Sequence, residues 1–149
     1  MLYPPELLAL VSRVLVVTDG EDNESRYTME ELIRSAQKSN AVIYAIGLLG
    51  DEEPGGLFKM KGGEAKRAAK ALKELTTATG GQAYFPRSLD EVENTCVQIA
   101  RDIRNQYTIA YTPSNDKMDG TYRQIKIVVT APGHLTVRTR SGYYATPDQ

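Results

Sequence analysis

The chain is short of cysteine, histidine, net charge and long apolar runs, and each shortage removes a class of function. One cysteine, Cys96, excludes an intramolecular disulfide and leaves the redox compartment open. Cys96 falls on the apolar stripe of a helical segment, so an inert buried thiol is expected there rather than a nucleophile. The single histidine, His134, follows a Pro132-Gly133 turn signal. A Ser-His-Asp or Cys-His mechanism would have to use it, and nothing in the sequence positions it for that. The formal charge of -1 provides no basic field to draw the chain to nucleic acid or anionic lipid, so neither partner is expected. No apolar stretch approaches the ~20 residues of a membrane helix, so no membrane insertion is expected. Met1 to Pro5 lacks the basic start of a signal peptide, which leaves a cytosolic protein or a fragment of a longer one, and the localisation open. Gly-x-x-x-x-Gly-Lys-Ser/Thr and Gly-x-Gly-x-x-Gly are both missing. Lys59, Lys61, Lys66, Arg67, Lys70 and Lys73 therefore read as a solvated basic face.

What is present suits one globular domain. The 149 residues are 41% apolar and 25% charged, an ordinary balance for one hydrophobic core. The most informative run is Val14-Leu15-Val16-Val17-Thr18-Asp19-Gly20. Apolar, mostly β-branched residues stop abruptly at Thr-Asp-Gly, as a buried parallel strand does when its C-terminal tip delivers a carboxylate. Ligand sites of open α/β sheets sit at those tips, which makes Asp19 the first candidate functional residue. Asp-Gly is equally good turn chemistry, and the residues alone leave site and turn both open.

Alternation of strands and helices follows. Pro5 suits a first helical turn, and one or two turns are expected over 6–11. Arg13 to Thr18 reads as the first strand. Thr28-Met29-Glu30-Glu31 is a capping box, and Met29, Leu32, Ile33 and Ala36 continue at helical spacing. Ala41 to Leu48 is a second buried strand. Gly50 to Gly63 is a long glycine-rich loop. Glu64 to Thr79 is a helix with a stripe of Ala65, Ala68, Leu72 and Leu75, closed by Gly80-Gly81. Gln82 to Phe85 is a short strand. Ser88-Leu89-Asp90-Glu91 is a second capping box, opening a helix with Val92, Cys96, Ile99 and Ile103 on one face. Three such units predict a parallel, Rossmann-like sheet flanked by helices on both faces, over 13–105.

Beyond it, over 106–145, Tyr107 to Thr112, Tyr122 to Thr130 and Leu135 to Arg140 read as strands. Asp119-Gly120 and Pro132-Gly133 are the turns between them. The expected fold class is thus α/β with a C-terminal antiparallel β meander. Tyr107, Tyr111, Tyr122, Tyr143 and Tyr144 suit cross-strand pairing, and equally a recognition surface.

Strand-Thr-Asp-Gly, a helix, a Val-Ile-Tyr-Ala-Ile-Gly strand, and a helix running into Thr79-Gly80-Gly81-Gln82-Ala83-Tyr84-Phe85 resemble the second half of a von Willebrand factor type A domain. Arg104-Asn105-Gln106-Tyr107-Thr108-Ile109-Ala110-Tyr111-Thr112-Pro113 and Arg140-Ser141-Gly142-Tyr143-Tyr144 resemble a bacterial, acidobacterial branch of that family. The resemblance spans roughly Arg13 to Ala145, so 1–149 is expected to be a single partial domain of this kind. It implies a metal-ion-dependent adhesion site for Mg²⁺ or another divalent cation, with Asp19 as a ligand and Thr18 in support. Oxygen ligands suit such a hard cation. The family's Asp-x-Ser-x-Ser motif occurs nowhere in the chain, nor do the strands that precede the Asp19 strand. The implied cation site is therefore incomplete, with Asp22 or Glu24 as conceivable additions.

The same departure leaves Val14 to Val17 as an apolar sheet edge, which invites pairing with another chain. A symmetric homodimer through that edge is expected, or a cover supplied by residues 7–11. The function the resemblance implies is non-enzymatic protein binding. Two alternatives stand beside it: a phosphoacceptor or hydrolase built on Asp19, and an inactive fragment of a larger exported protein. Catalysis wants further acids and a lysine at neighbouring strand tips, and Gly47-Leu48-Leu49 and Pro86-Arg87 supply neither acid nor lysine.

Overall fold

A computed structural model describes residues 12–19, 26–49, 62–133 and 135–147. The expected turns over 6–11, most of the Gly50–Gly63 loop, Asp22, Glu24 and His134 lie outside the described residues. Three parallel strands are ordered β1-β2-β3, with β1 at Arg13–Thr18, β2 at Val42–Gly47 and β3 at Ala83–Tyr84. Three helices connect and follow them: α1 at Met29–Lys38, α2 at Gly62–Thr79 and α3 at Leu89–Arg104. A separate antiparallel pair is formed by β4 at Tyr122–Gln124 and β5 at Gly142–Tyr144.

β2 is central because its side chains are apolar on both faces. Ile43 meets Ala36 of α1 and Leu75 of α2 on one face, with Val16 and Ile33 packed against them. Tyr44 and Ile46 meet Ile99 of α3 on the other, flanked by Leu48, Tyr84 and Ile103. Helices thus cover both faces, as the alternation of elements requires.

The helix ends follow local chemistry. Thr28 Oγ1 accepts from the Glu31 amide at 3.3 Å, and Glu31 Oε2 accepts from the Thr28 amide at 2.8 Å, a complete capping box. Those bonds from Thr28 hold the Glu31 carboxyl below its ordinary pKa. At α3 the box is only half formed. Ser88 caps the Glu91 amide, but Glu91 reaches one residue further back, to the Arg87 amide at 2.7 Å. α2 closes in a Schellman turn: Gly81 N–H bonds Thr76 O and Gly80 N–H bonds Thr77 O, with Gly80 at φ +86°. A Cβ on Gly81 would stand 1.9 Å from the Ile43 carbonyl oxygen, so the backbone itself packs on β2. Buried Thr79 extends the ladder where β3 has not yet begun, its Oγ1 accepting from Ile43 N–H at 3.1 Å.

The C-terminal part differs from the expected meander. Tyr107 to Thr112 and Leu135 to Arg140 form no ladder, and Tyr122 to Thr130 shortens to Tyr122–Gln124. Alternation of apolar residues is satisfied only where a facing strand exists, and β5 offers one over three residues. The segment from Arg138 onward instead runs as a belt beneath the helices. Arg138 pairs with Asp102 of α3 at 2.6 Å, and Ser141 N–H donates to Ala78 O of α2. Buried Gln37 of α1 donates from Nε2 to Tyr122 and Ser141 hydroxyls at 3.2 and 3.1 Å. Arg140 donates to the carbonyls of Gly142 and Gln37 and to Asn40 Oδ1. Its guanidinium lies among neutral acceptors, and burial lowers its pKa. The Arg-Ser-Gly-Tyr-Tyr ending is thus a clasp on α1, completed by Tyr144 beneath the Arg34 guanidinium, 5.3 Å from ring centroid to Cζ.

Candidate functional site

β1 is hydrogen-bonded to β2 alone among the described residues. Its apolar composition reads as that of a buried strand, whereas the missing neighbour predicts an exposed edge, and the strand is exposed. Val14 is 42% exposed, Leu15 46% and Val17 58%, whereas their register partners Ile43, Tyr44 and Ile46 are buried. The reason is positional. Leu15 and Val17 share the face of Tyr44 and Ile46, where α3 packs on β2 and on Tyr84 of β3 in a cluster that includes no β1 residue, whereas Val14 lies on the opposite face with Ile43.

Cys96 corrects a second expectation for the same reason. It lies on the apolar stripe, yet it is exposed. Helical geometry puts it on the flank away from Asp102, whose carboxylate accepts from the Tyr84 hydroxyl of β3 at 3.1 Å. Stripe position alone overlooked that a stripe can be wider than the surface beneath it.

The backbone direction of β1 follows from two bonds. Val42 N–H donates to Ser12 O and Leu48 N–H to Thr18 O, both at 2.8 Å. Even-numbered residues therefore turn their peptide groups toward β2. With a period of two, Leu15 and Val17 turn theirs toward the open edge. One further residue, for which the sequence suggested no role, fixes the strand's start. Gln106, just past α3, accepts from Arg13 Nε at 3.1 Å and donates to the Tyr44 hydroxyl at 2.7 Å. Only its place in the Arg104-Asn105-Gln106 run marked it in the sequence.

The carboxyl tip of β1 carries the predicted site residues. Thr18 is half-buried and Asp19 is exposed. Together they offer one carboxylate and one hydroxyl, a fraction of the six oxygens Mg²⁺ requires. Among the described residues, no group of three His, Cys, Asp or Glu side chains could hold a metal ion. No helix among them is long and apolar enough to cross a membrane.

No protein-family model matches the chain. An uncharacterized protein of Borreliella burgdorferi is 27% identical over 122 residues, which cover 81% of this chain and 33% of that protein. The chain thus spans about a third of the length of this relative. A crystal structure of an uncharacterized membrane-spanning protein from Vibrio fischeri superposes with a TM-score of 0.51 at 22% identity. It covers 68% of this chain and 50% of its own, and the likeness is one of fold.

Proposed function

We propose that this chain is a non-enzymatic protein-interaction module, built like the C-terminal part of a von Willebrand factor type A domain, whose binding element is the β1 edge. The observation that carries this reading is the exposure of Val14, Leu15 and Val17 on a strand that, among the described residues, is paired along one side. Sheets hide such edges with charge, proline or a covering element; Val14 to Thr18 carry neither charge nor proline, and no described strand covers the far side of β1. An incoming strand would bond to the peptide groups of Leu15 and Val17 and cover their side chains, the mode known as β-augmentation. Asp19 and Thr18 at the tip form a partial cation site, and a partner that supplies further oxygens would complete it.

The test uses a fluorescent peptide of the β1 sequence, Arg-Val-Leu-Val-Val-Thr-Asp, titrated against the full chain. Saturable binding is expected, weakened by Val17→Lys on the protein. Binding that ignores Val17→Lys would place the interaction elsewhere. Covalent phosphate on Asp19 after exposure to acetyl phosphate, seen by intact mass, would move the function to phosphoacceptor chemistry instead.

A further inference from the structure

The edge carries information about its partner. We propose that the strand added to β1 is β1 of a second copy, antiparallel, with the two-fold axis through Val16. This rests on the strand-addition reading above and names its occupant.

An isologous interface needs a surface that matches itself under a two-fold rotation. β1 begins with a cation, Arg13, and ends at an anion, Asp19, both exposed. Reversing the strand about Val16 sets Arg13 of each copy opposite Asp19 of the other, on both sides of the axis. Leu15 then faces Val17, so the two exposed apolar side chains of one sheet face cover each other. Val14 faces Thr18, and Val16 faces itself.

Backbone direction selects among registers. In an antiparallel pair, directly opposed residues both turn their peptide groups inward or both turn them away. Leu15 and Val17 turn theirs to the open edge, so only registers that oppose odd to odd residues can bond. Axes through Leu15 or Val17 satisfy that rule as well. The axis through Val16 alone opposes Arg13 to Asp19 and uses the strand from end to end. The result is one continuous sheet, β3-β2-β1 followed by its rotated copy.

Opposed charges on directly paired residues stabilise a ladder and like charges destabilise it. Two reversals make the idea testable. Arg13→Asp alone places two carboxylates together at each end, and Asp19→Arg alone places two guanidiniums together. Mixing the two variants restores opposite charges at both ends of a heterodimer. Val16 adds a geometric probe. It forms the non-bonded pair on the axis, where Cα atoms stand about 4.5 Å apart, within disulfide reach.

The experiment is sedimentation of the full chain, with Cys96→Ser in every variant. The parent is expected to dimerise with rising concentration. Each single reversal should raise the dissociation constant about tenfold, since two like-charge contacts arise per dimer. An equimolar mixture of the two should recover the parent's behaviour, which also shows both variants to be folded. Oxidised Val16→Cys should give a covalent dimer and oxidised Val14→Cys should not, because Val14 faces Thr18. A dimer indifferent to both reversals, or one locked by Val14→Cys instead, overturns the register. A parent that stays monomeric at every concentration overturns self-pairing. If that monomer still binds the strand peptide, the edge reading stands with a different partner; if it binds none, both readings fall.

Discussion

β1 and β2 are near twins in sequence and opposites in the fold. Val14-Leu15-Val16-Val17 and Val42-Ile43-Tyr44-Ala45-Ile46 are both continuous apolar runs in parallel strands of one sheet. Ala45 is fully buried and Ile46 nearly so, while Val17 is more than half exposed. Composition therefore reports the environment a strand is suited to, and topology decides whether its own chain supplies it. β2 has a strand on each side and helices over both faces. Among the described residues β1 has one neighbouring strand, and its Leu15 and Val17 stay exposed on the face that α3 shares with β2.

That contrast should show in mutant stabilities. Ile46→Ala, in the packed strand, is expected to lower unfolding free energy by about 2–4 kcal/mol in urea titration. Its β1 register partner offers the sharpest comparison. Val17→Thr should stay within about 0.5 kcal/mol of the parent in dilute solution, as exposed substitutions do. A loss near that of Ile46→Ala would mean that Val17 is covered within the monomer, and would break the contrast. Between these extremes stands the belt. Gln37→Ala leaves the Tyr122 and Ser141 hydroxyls without their α1 donor in a part-buried site, and about 1–3 kcal/mol should be lost. Thr28→Ala removes the cap of α1 and should cost about 1 kcal/mol, read from the same titration.

The smallest effect is a pH dependence confined to the β4 turn. The Thr121 hydroxyl and amide, with Arg123, hold the Asp119 carboxyl at about 2, below its ordinary 3.8. Because the folded value is the lower one, its contribution is present above roughly pH 4 and fades as pH falls toward 2. Carbon-detected NMR titration of Asp119 should show that low midpoint. An ordinary midpoint would mean that the turn bonds do not persist in solution.

The α/β part was legible in sequence because its signals are local. The Thr28–Glu31 box, the Gly80-Gly81 stop and the apolar runs each need only a few neighbouring residues to act, and the described strands and helices over 13–105 lie within two residues of where they are expected. The tail was less legible because alternation needs a facing strand, and sequence does not say whether one will be present. Tyr107 to Thr112 alternates well and forms no ladder among the described residues. Arg140 and Gln37 could not be paired from sequence at all. Their contact joins residues a hundred positions apart, and its donors and acceptors are ordinary surface chemistry until the belt buries them. At the candidate site, Asp19 and Thr18 were placed at a strand tip by the Thr-Asp-Gly stop, and the structure puts them there. The apolar run by itself reads as buried, and only the missing neighbouring strand pointed to Val14 to Val17 as an edge.

Amide hydrogen exchange of β1, followed across protein concentration, reads both sides of the strand residue by residue. Val14 and Val16 turn their N–H groups to β2, and should be protected at every concentration. Leu15 and Val17 should exchange fast in dilute protein and slow as concentration rises and a second strand arrives. Slow exchange of Leu15 and Val17 at the lowest concentration would show that the monomer already covers its edge, and would contradict the account.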